Sequence, residues 1–412
     1  MRSLTDKDRS AIMSSMRRFA LLTILATTPG GSVNAQAPAP APVPFAYAAP
    51  AVSQVEINYA IADWRRLRAS DGYAFADYAR FLNNNPGWPD SNRLRGVAER
   101  QMRPGEYGPT VIAFFRAEPP RTGNGRARLA EALASAGRTV EATTMARAAW
   151  TSADLPTADQ TTIAARYWSS LTAADHDKRA DALLFARKID DAERAAAYAS
   201  PARRAAFAAR VAMQRRSTDA EALYRLVDAQ IASDAGLLVD RIRFLRLYNN
   251  ENGARALAAR PHQFVHRPAD PARFVETMLS LANGAYAARQ YQQAYDIGRQ
   301  VNDAFAPGTD ISAQSYGIRD DYTSLTWLAG QAALSGINRP AQAVQQFVNY
   351  SKGGKSLQVA SKGLYWAGRA ALYAGRPPAP VRPPPRGPGT VRRDHAQPCQ
   401  WSLRSAAISA GL

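Results

Sequence analysis

The chain has 412 residues, a net charge of +18 and 46% hydrophobic residues, enough apolar surface for a large core and too much for a disordered polymer. Its single cysteine, Cys399, excludes an internal disulfide framework. Its four histidines have no metal-ligand spacing, since His262 and His266 are flanked by Pro261 and Pro268 and have no acidic residue between them.

Alanine is the main apolar residue, which favours closely packed helices over sheets. The termini inflate the charge: residues 1–35 contribute +3 and residues 377–412 contribute +4, leaving +11 on the body. A surface of that sign attracts anionic polymers, and solvated arginine-rich helix faces account for it as well.

Arg17-Arg18 precede a short apolar run over 19–26, and Val33 and Ala35 stand at the −3 and −1 positions of a cleavage site. Residues 1–35 therefore read as a signal peptide directing export to a periplasm, with translation starting at Met13 or Met16 as an alternative. The apolar run is too short to span a bilayer, so no transmembrane segment is expected. Export also removes nucleic acid from the candidate partners. Residues 36–54 alternate alanine and proline and read as a linker without a fold of its own.

From 55 to 376 helical periodicity is almost unbroken. Ile57, Ala60, Ile61, Trp64 and Leu67 share one helix face, and Phe75, Tyr78, Phe81 and Leu82 share the next. The sharp turn Asn85-Pro86-Gly87-Trp88-Pro89 follows, with Asp90 or Ser91 as the cap of a helix burying Leu94, Val97, Ala98 and Met102. Residues 111–115 give another short helix, closed by Pro119-Pro120.

A repeat then emerges. Ala130 and Ala142, Ala282 and Ala294, and Ala329 and Ala341 are each twelve apart across a turn-like break. Small residues so placed let two helices of a hairpin approach. At ~35 residues per hairpin the body would hold about nine, an all-α superhelical solenoid of tetratricopeptide-like hairpins. The last helix, over 357–376, is the first of a hairpin whose second would place a small residue at Ala379, inside the cluster Pro377, Pro378 and Pro380. Proline costs about 3 kcal/mol in a helix interior, so that partner cannot form there. Residues 377–412 follow no period and read as a disordered tail or an out-of-frame translation.

Catalytic patterns are absent. Ser351-Lys352-Gly353-Gly354-Lys355-Ser356 lacks the first glycine of a phosphate loop and follows a helix rather than a strand. No G-x-S-x-G occurs, and no Ser/His/Asp grouping can be assembled. Of the tryptophans, Trp64, Trp150, Trp327 and Trp366 fall on apolar faces and read as core. Trp88, in its proline-flanked turn, is the best exposed candidate for stacking on a glycan.

Several segments together resemble a known family. Asn85-Pro86-Gly87-Trp88-Pro89, with Leu94-Arg95 and Ala98-Glu99, looks like the N-terminal signature of soluble lytic murein transglycosylases. The stretch 281–295 is similar to an alanine- and tyrosine-marked hairpin of that family. Thr326-Trp327-Leu328-Ala329-Gly330-Gln331-Ala332-Ala333-Leu334 resembles a further segment, with Thr326 where the family has an acid. Leu364-Tyr365-Trp366-Ala367-Gly368-Arg369-Ala370 matches its YWxGRA segment. The resemblance implies a ring-like α-superhelix followed by a goose-lysozyme-like domain. That domain cleaves the β-1,4 bond between N-acetylmuramic acid and N-acetylglucosamine to a 1,6-anhydro product, without metal or organic cofactor.

The catalytic Glu-Ser pair of that domain has no counterpart: none of the ten glutamates precedes a serine, and the one Met-Gln pair, Met213-Gln214, lies in a helical run. No catalytic, cofactor-binding or metal residue carries over. The expected role is non-catalytic engagement of peptidoglycan or of periplasmic proteins. The alternative is a periplasmic tetratricopeptide-like adaptor between proteins.

Overall fold

The computed structural model describes residues 53–375, all in helices, turns and loops; among them a lone bridge joins Asp234 to His266. The stretch read as a signal peptide (1–35), nearly all of that read as a linker (36–54) and that read as a tail (377–412) lie outside the described residues.

Helix α1 (Gln54–Ala69) starts three residues before Ile57, the first residue of its apolar stripe, because Ser53 and Glu56 form a reciprocal capping box. The Glu56 amide donates to Ser53 Oγ at 3.1 Å, and the Ser53 amide donates to Glu56 Oε2 at 2.9 Å. Helices α2 (Phe75–Asn84), α3 (Ser91–Gln101) and α4 (Gly108–Ala117) follow. Their stripes meet in one core containing Trp64, Leu67, Phe75, Tyr78, Leu94, Val97 and Phe114. Asp90 does occupy the N-cap of α3, but at φ 66° its side chain makes no capping bond and pairs instead with Arg68 at 3.2 Å.

Helices α5 (Gly123–Ser135) and α6 (Thr139–Trp150) form the first of six hairpins of one design. After α7 (Thr157–Tyr167) come α8 (Ala173–Phe185) with α9 (Ile189–Ala196), and α10 (Pro201–Arg215) with α11 (Ala220–Arg225). Then follow α12 (Ala235–Leu247) with α13 (Glu251–Ala258), and α14 (Pro271–Ala287) with α15 (Tyr291–Gly298). The sixth pair is α16 (Tyr316–Gln331) with α17 (Pro340–Gly353), and α18 (Leu357–Ala374) is the last helix among the described residues.

Each hairpin turns on one left-handed residue: Gly137, Arg187, Arg216, Asn249, Arg289 or Asn338. That conformation costs a side-chain-bearing residue about 1–2 kcal/mol. The compensation is a helix end whose orphan carbonyls are bonded. The next amide reaches back to the carbonyl five residues earlier: Arg138 to Leu133, Lys188 to Leu183, Asn250 to Leu245 and Gln290 to Ala285, at 2.8–2.9 Å.

This turn sets the repeat. Seven residues before it and five after it stand buried pairs: Ala130 and Ala142, Ala180 and Ala192, Ile242 and Ala254, Ala282 and Ala294. Two of these four pairs were not apparent from sequence. In the sixth hairpin a π-helical turn, Ala332–Gly336, lengthens the connection, and the Arg339 amide bonds Ala333 O at 2.8 Å. The buried partner of Ala329 is therefore Ala343, and the expected Ala341 is exposed on the first turn of α17.

Charged groups hold the centre together. Arg210 on α10 is 1% exposed and lies between Asp181 of α8 and Asp240 of α12, with its Nε 2.7 Å from Asp240 Oδ2. Arg203 joins Asp181 at 3.1 Å and Asp234 at 3.0 Å. Gly236 leaves the room they need, since a Cβ there would stand 2.4 Å from the Arg210 guanidinium carbon.

Candidate functional site: a groove beside Trp88

The turn after α2 is made rigid by its own backbone. The Asn85 amide closes on Phe81 O at 2.9 Å, Gly87 takes φ 75°, and the Ser91 amide donates to Trp88 O at 3.2 Å. From α1, Trp64 Nε1 donates to Pro89 O at 2.9 Å, tying the turn to the first helix. These bonds press the Trp88 ring inward, edge-on to Phe81 with centroids 5.9 Å apart.

Trp88 is consequently 9% exposed, not the exposed stacking residue its turn suggested. Prolines on both sides fix where the backbone goes but not which way the ring points. Its indole Nε1 is buried without a hydrogen-bond partner. Trp88 nevertheless lines the wall of a groove of about 1000 Å3, with Ile57, Tyr59, Asp63, Arg80 and Asn84 also along it. The accessible ring there is Tyr59, 74% exposed. Tyr59 is not legible in the sequence as a site residue because it lies off the apolar stripe of α1. An exposed aromatic next to a stripe was the only signal.

The groove is polar on one side. Arg66 bonds Asp63 at 2.9 Å and Asp77 at 3.1 Å, and Arg80 bonds the second oxygen of Asp63 at 3.1 Å. The Asp63 bonds, then those to Asp77, hold the Arg66 proton more tightly than usual. At the rim, the Ser53 amide and then its hydroxyl hold Glu56 below the usual carboxylate range. A carboxyl so placed carries no proton to donate at neutral pH, so Glu56 is unsuited to general acid catalysis. Elsewhere Glu118, Glu141, Glu193, Glu221 and Glu251 are ion-paired with arginines. The groove thus presents one exposed aromatic ring beside charged groups fixed by their own ion pairs.

The other motif-bearing segments lie together at the far end of the chain. Trp327 meets Trp366 edge-to-face at 5.8 Å, and both pack against a core that includes Tyr295, Ala329, Ala367 and Ala370. Ser351-Lys352-Gly353 close α17 and Ser356 caps α18, so the lysine-rich stretch is a helix–helix turn.

A second aromatic cluster gathers Trp150, Trp168, His176 and Tyr198, with Arg179 4.2 Å above the Trp150 ring. Burial lowers the His176 pKa, Asp175 and Asp177 oppose that, and Arg179 adds to it. His262, its side chain buried and its Nδ1 3.2 Å from Asp303, is lowered in the same direction, again by burial first. Both imidazoles fold neutral. As pH falls below about 6.5 the unfolded chain takes up protons first, so stability declines by up to about 1.4 kcal/mol per pH unit for each histidine. Urea unfolding at pH 7.5 and 5.5 will show a lower midpoint at the acidic value, and His176→Phe will reduce the difference. An unchanged difference in the variant would remove His176 from the account.

Among the described residues no helix is long and apolar enough to cross a membrane. Compared with protein-family models, curated proteins and solved structures, the chain matches none.

Proposed function

We propose that the chain is the exported α-superhelical part of a lytic murein transglycosylase-like protein, and that it binds peptidoglycan without cleaving it. The hairpins are proposed to stack as a solenoid of tetratricopeptide-like units, each burying its stripe against its neighbours. The observation that carries this reading is the groove beside Trp88. The turn that resembles the family signature forms its wall, an exposed tyrosine ring stands at its edge, and fixed arginine, aspartate and asparagine groups line it. Aromatic faces suit the apolar faces of pyranose rings, and the polar groups suit their hydroxyls.

Purified chain mixed with murein sacculi is expected to pellet with them, and Tyr59→Ala to reduce the bound fraction several-fold. A murein zymogram is expected to show no clearing. Release of 1,6-anhydro products by the chain would refute the non-catalytic half of the reading, and failure to pellet would refute the binding half. The second reading, a periplasmic adaptor for other proteins, is favoured by one feature of the last helix.

A further inference from the structure

Helix α18 packs on the preceding hairpin through Gly363, Ala367 and Ala370, all buried. On the opposite side Leu357, Leu364, Tyr365 and Leu372 are 86%, 60%, 62% and 70% exposed. At 3.6 residues per turn these four, with Gly368 and Ala371, cover a stripe about 120° wide. A helix apolar on two opposite sides is built to be covered on both. The outward stripe has relief as well. Leu357, Leu364 and Ala371 form one ridge seven residues apart, Tyr365 and Leu372 form a second, and Ser361 and Gly368 form the valley between them. Nothing described lies within 4 Å of a Cβ built on Gly368, so the valley floor is open.

The same chain shows what covers such a face. The C-cap of α18, Gly375 at φ −80° and ψ −6°, has nearly the geometry of the caps Ala136, Ala186 and Ala288 that end α5, α8 and α14. Counted back from those caps, the position of Leu372 is held by Leu133, Leu183 and Ala285, all buried in hairpins. Among the described residues nothing covers this stripe, and it includes the face that a second hairpin helix covers elsewhere.

Charge selects the occupant. Lys362 and Arg369 line the Tyr365 side of the stripe, Lys362 with its Nζ 3.7 Å from the Trp327 ring and Arg369 with its guanidinium 5.1 Å from that of Trp366. Helix α18 contains no acidic residue. A second copy laid antiparallel on the stripe would set its own Lys362 and Arg369 against these, like charge on like. We infer that this face is a docking site for an amphipathic helix of another polypeptide, antiparallel to α18, with small residues over Gly368 and acidic residues against Lys362 and Arg369. The inference is independent of murein binding.

The test uses the full chain and two synthetic peptides about 18 residues long, above the ~12–15 residues at which isolated helices are marginal. Both carry the same leucine and alanine stripe; one has glutamates on the flank and the other lysines. Fluorescence anisotropy is expected to show the glutamate peptide binding about tenfold more tightly at low salt, a ratio that shrinks as salt screens the flank. Gly368→Leu, which fills the valley at a position with open space, is expected to weaken binding at least tenfold while circular dichroism shows the same helix content. Equal binding of the two peptides, or binding indifferent to Gly368→Leu, would overturn the inference. So would self-association through α18 that the glutamate peptide cannot compete away, which would assign the face to a second copy.

Discussion

Replacing Arg210 by leucine is expected to destabilise the chain by about 3–5 kcal/mol, the cost of stranding buried charge by removing one partner. Asp240 accepts from Arg210 Nε at 2.7 Å and from Gln214 Nε2 at 2.9 Å, and it is 3% exposed. Two arginines, Arg203 and Arg210, serve three buried aspartates, Asp181, Asp234 and Asp240, so the cluster already has an excess of negative charge. The imbalance shows in the protonation of the groups. Burial raises the Asp181 pKa, and the two arginines only partly offset it. For Arg210 burial acts downward, yet the aspartates more than reverse it and the guanidinium remains charged. Removing Arg210 leaves Arg203 alone among three carboxylates. Arg215→Leu is the control, because its partners Asp190 and Glu193 are exposed and solvent screens such pairs. Urea midpoints that fall equally for both variants would show that the buried cluster contributes no more than a surface pair.

Glu99→Ala is expected to cost about 1–3 kcal/mol. Glu99, 2% exposed on α3, accepts from the Thr122 amide at 2.8 Å, the Thr122 hydroxyl at 2.7 Å and the Arg121 amide at 3.0 Å. These donors sit at the N-terminus of α5, where the helix dipole favours an anion. Alanine would remove the shared acceptor of two backbone amides and a hydroxyl, and because Arg121 is exposed and Thr122 half-buried, water replaces part of what is lost, leaving less than the ~1–3 kcal/mol of a fully buried unsatisfied group for each. Gly125 belongs to the same site, since a Cβ there would stand 2.5 Å from Glu99 Oε2. Glu193→Ala, at an exposed pair with Arg215, is expected to change stability by less than ~0.5 kcal/mol. If Glu99→Ala unfolds at the same denaturant concentration as Glu193→Ala, Glu99 does not fasten α5 to α3.

These sites were hidden in the sequence for one reason. Arg203 and Arg210 belong to an alanine-rich helix, where arginine ordinarily lies on a solvated face. Their partners are 22 to 31 residues away, brought close only when α8, α10 and α12 stack. Glu99 belongs to a segment already singled out as motif-like, yet its role depends on Thr122 in another helix. Turn chemistry limited the repeat as well. Gly137 announces a left-handed turn, whereas Arg187 and Arg289 occupy the same conformation without being turn formers. Spacing alone still marks Ala282 and Ala294 around Arg289, whereas no turn former marks Ala180 and Ala192, and the twelve-residue spacing points to Ala341 because it cannot reveal a π-helical turn.

What the sequence determined by itself is helix after helix from about residue 55 onward, with the burial of Trp64, Leu67, Phe75 and Leu94 and the alanine pairs Ala130 with Ala142 and Ala282 with Ala294. Helical periodicity is local: each residue's face follows from neighbours three and four away. The tertiary structure alone decided that Trp88 turns inward while Tyr59 remains exposed, that five charged groups form the centre, and that α18 keeps an apolar stripe facing outward. Those outcomes depend on what lies opposite a side chain across a helix interface, and residues some 30 positions away supply that.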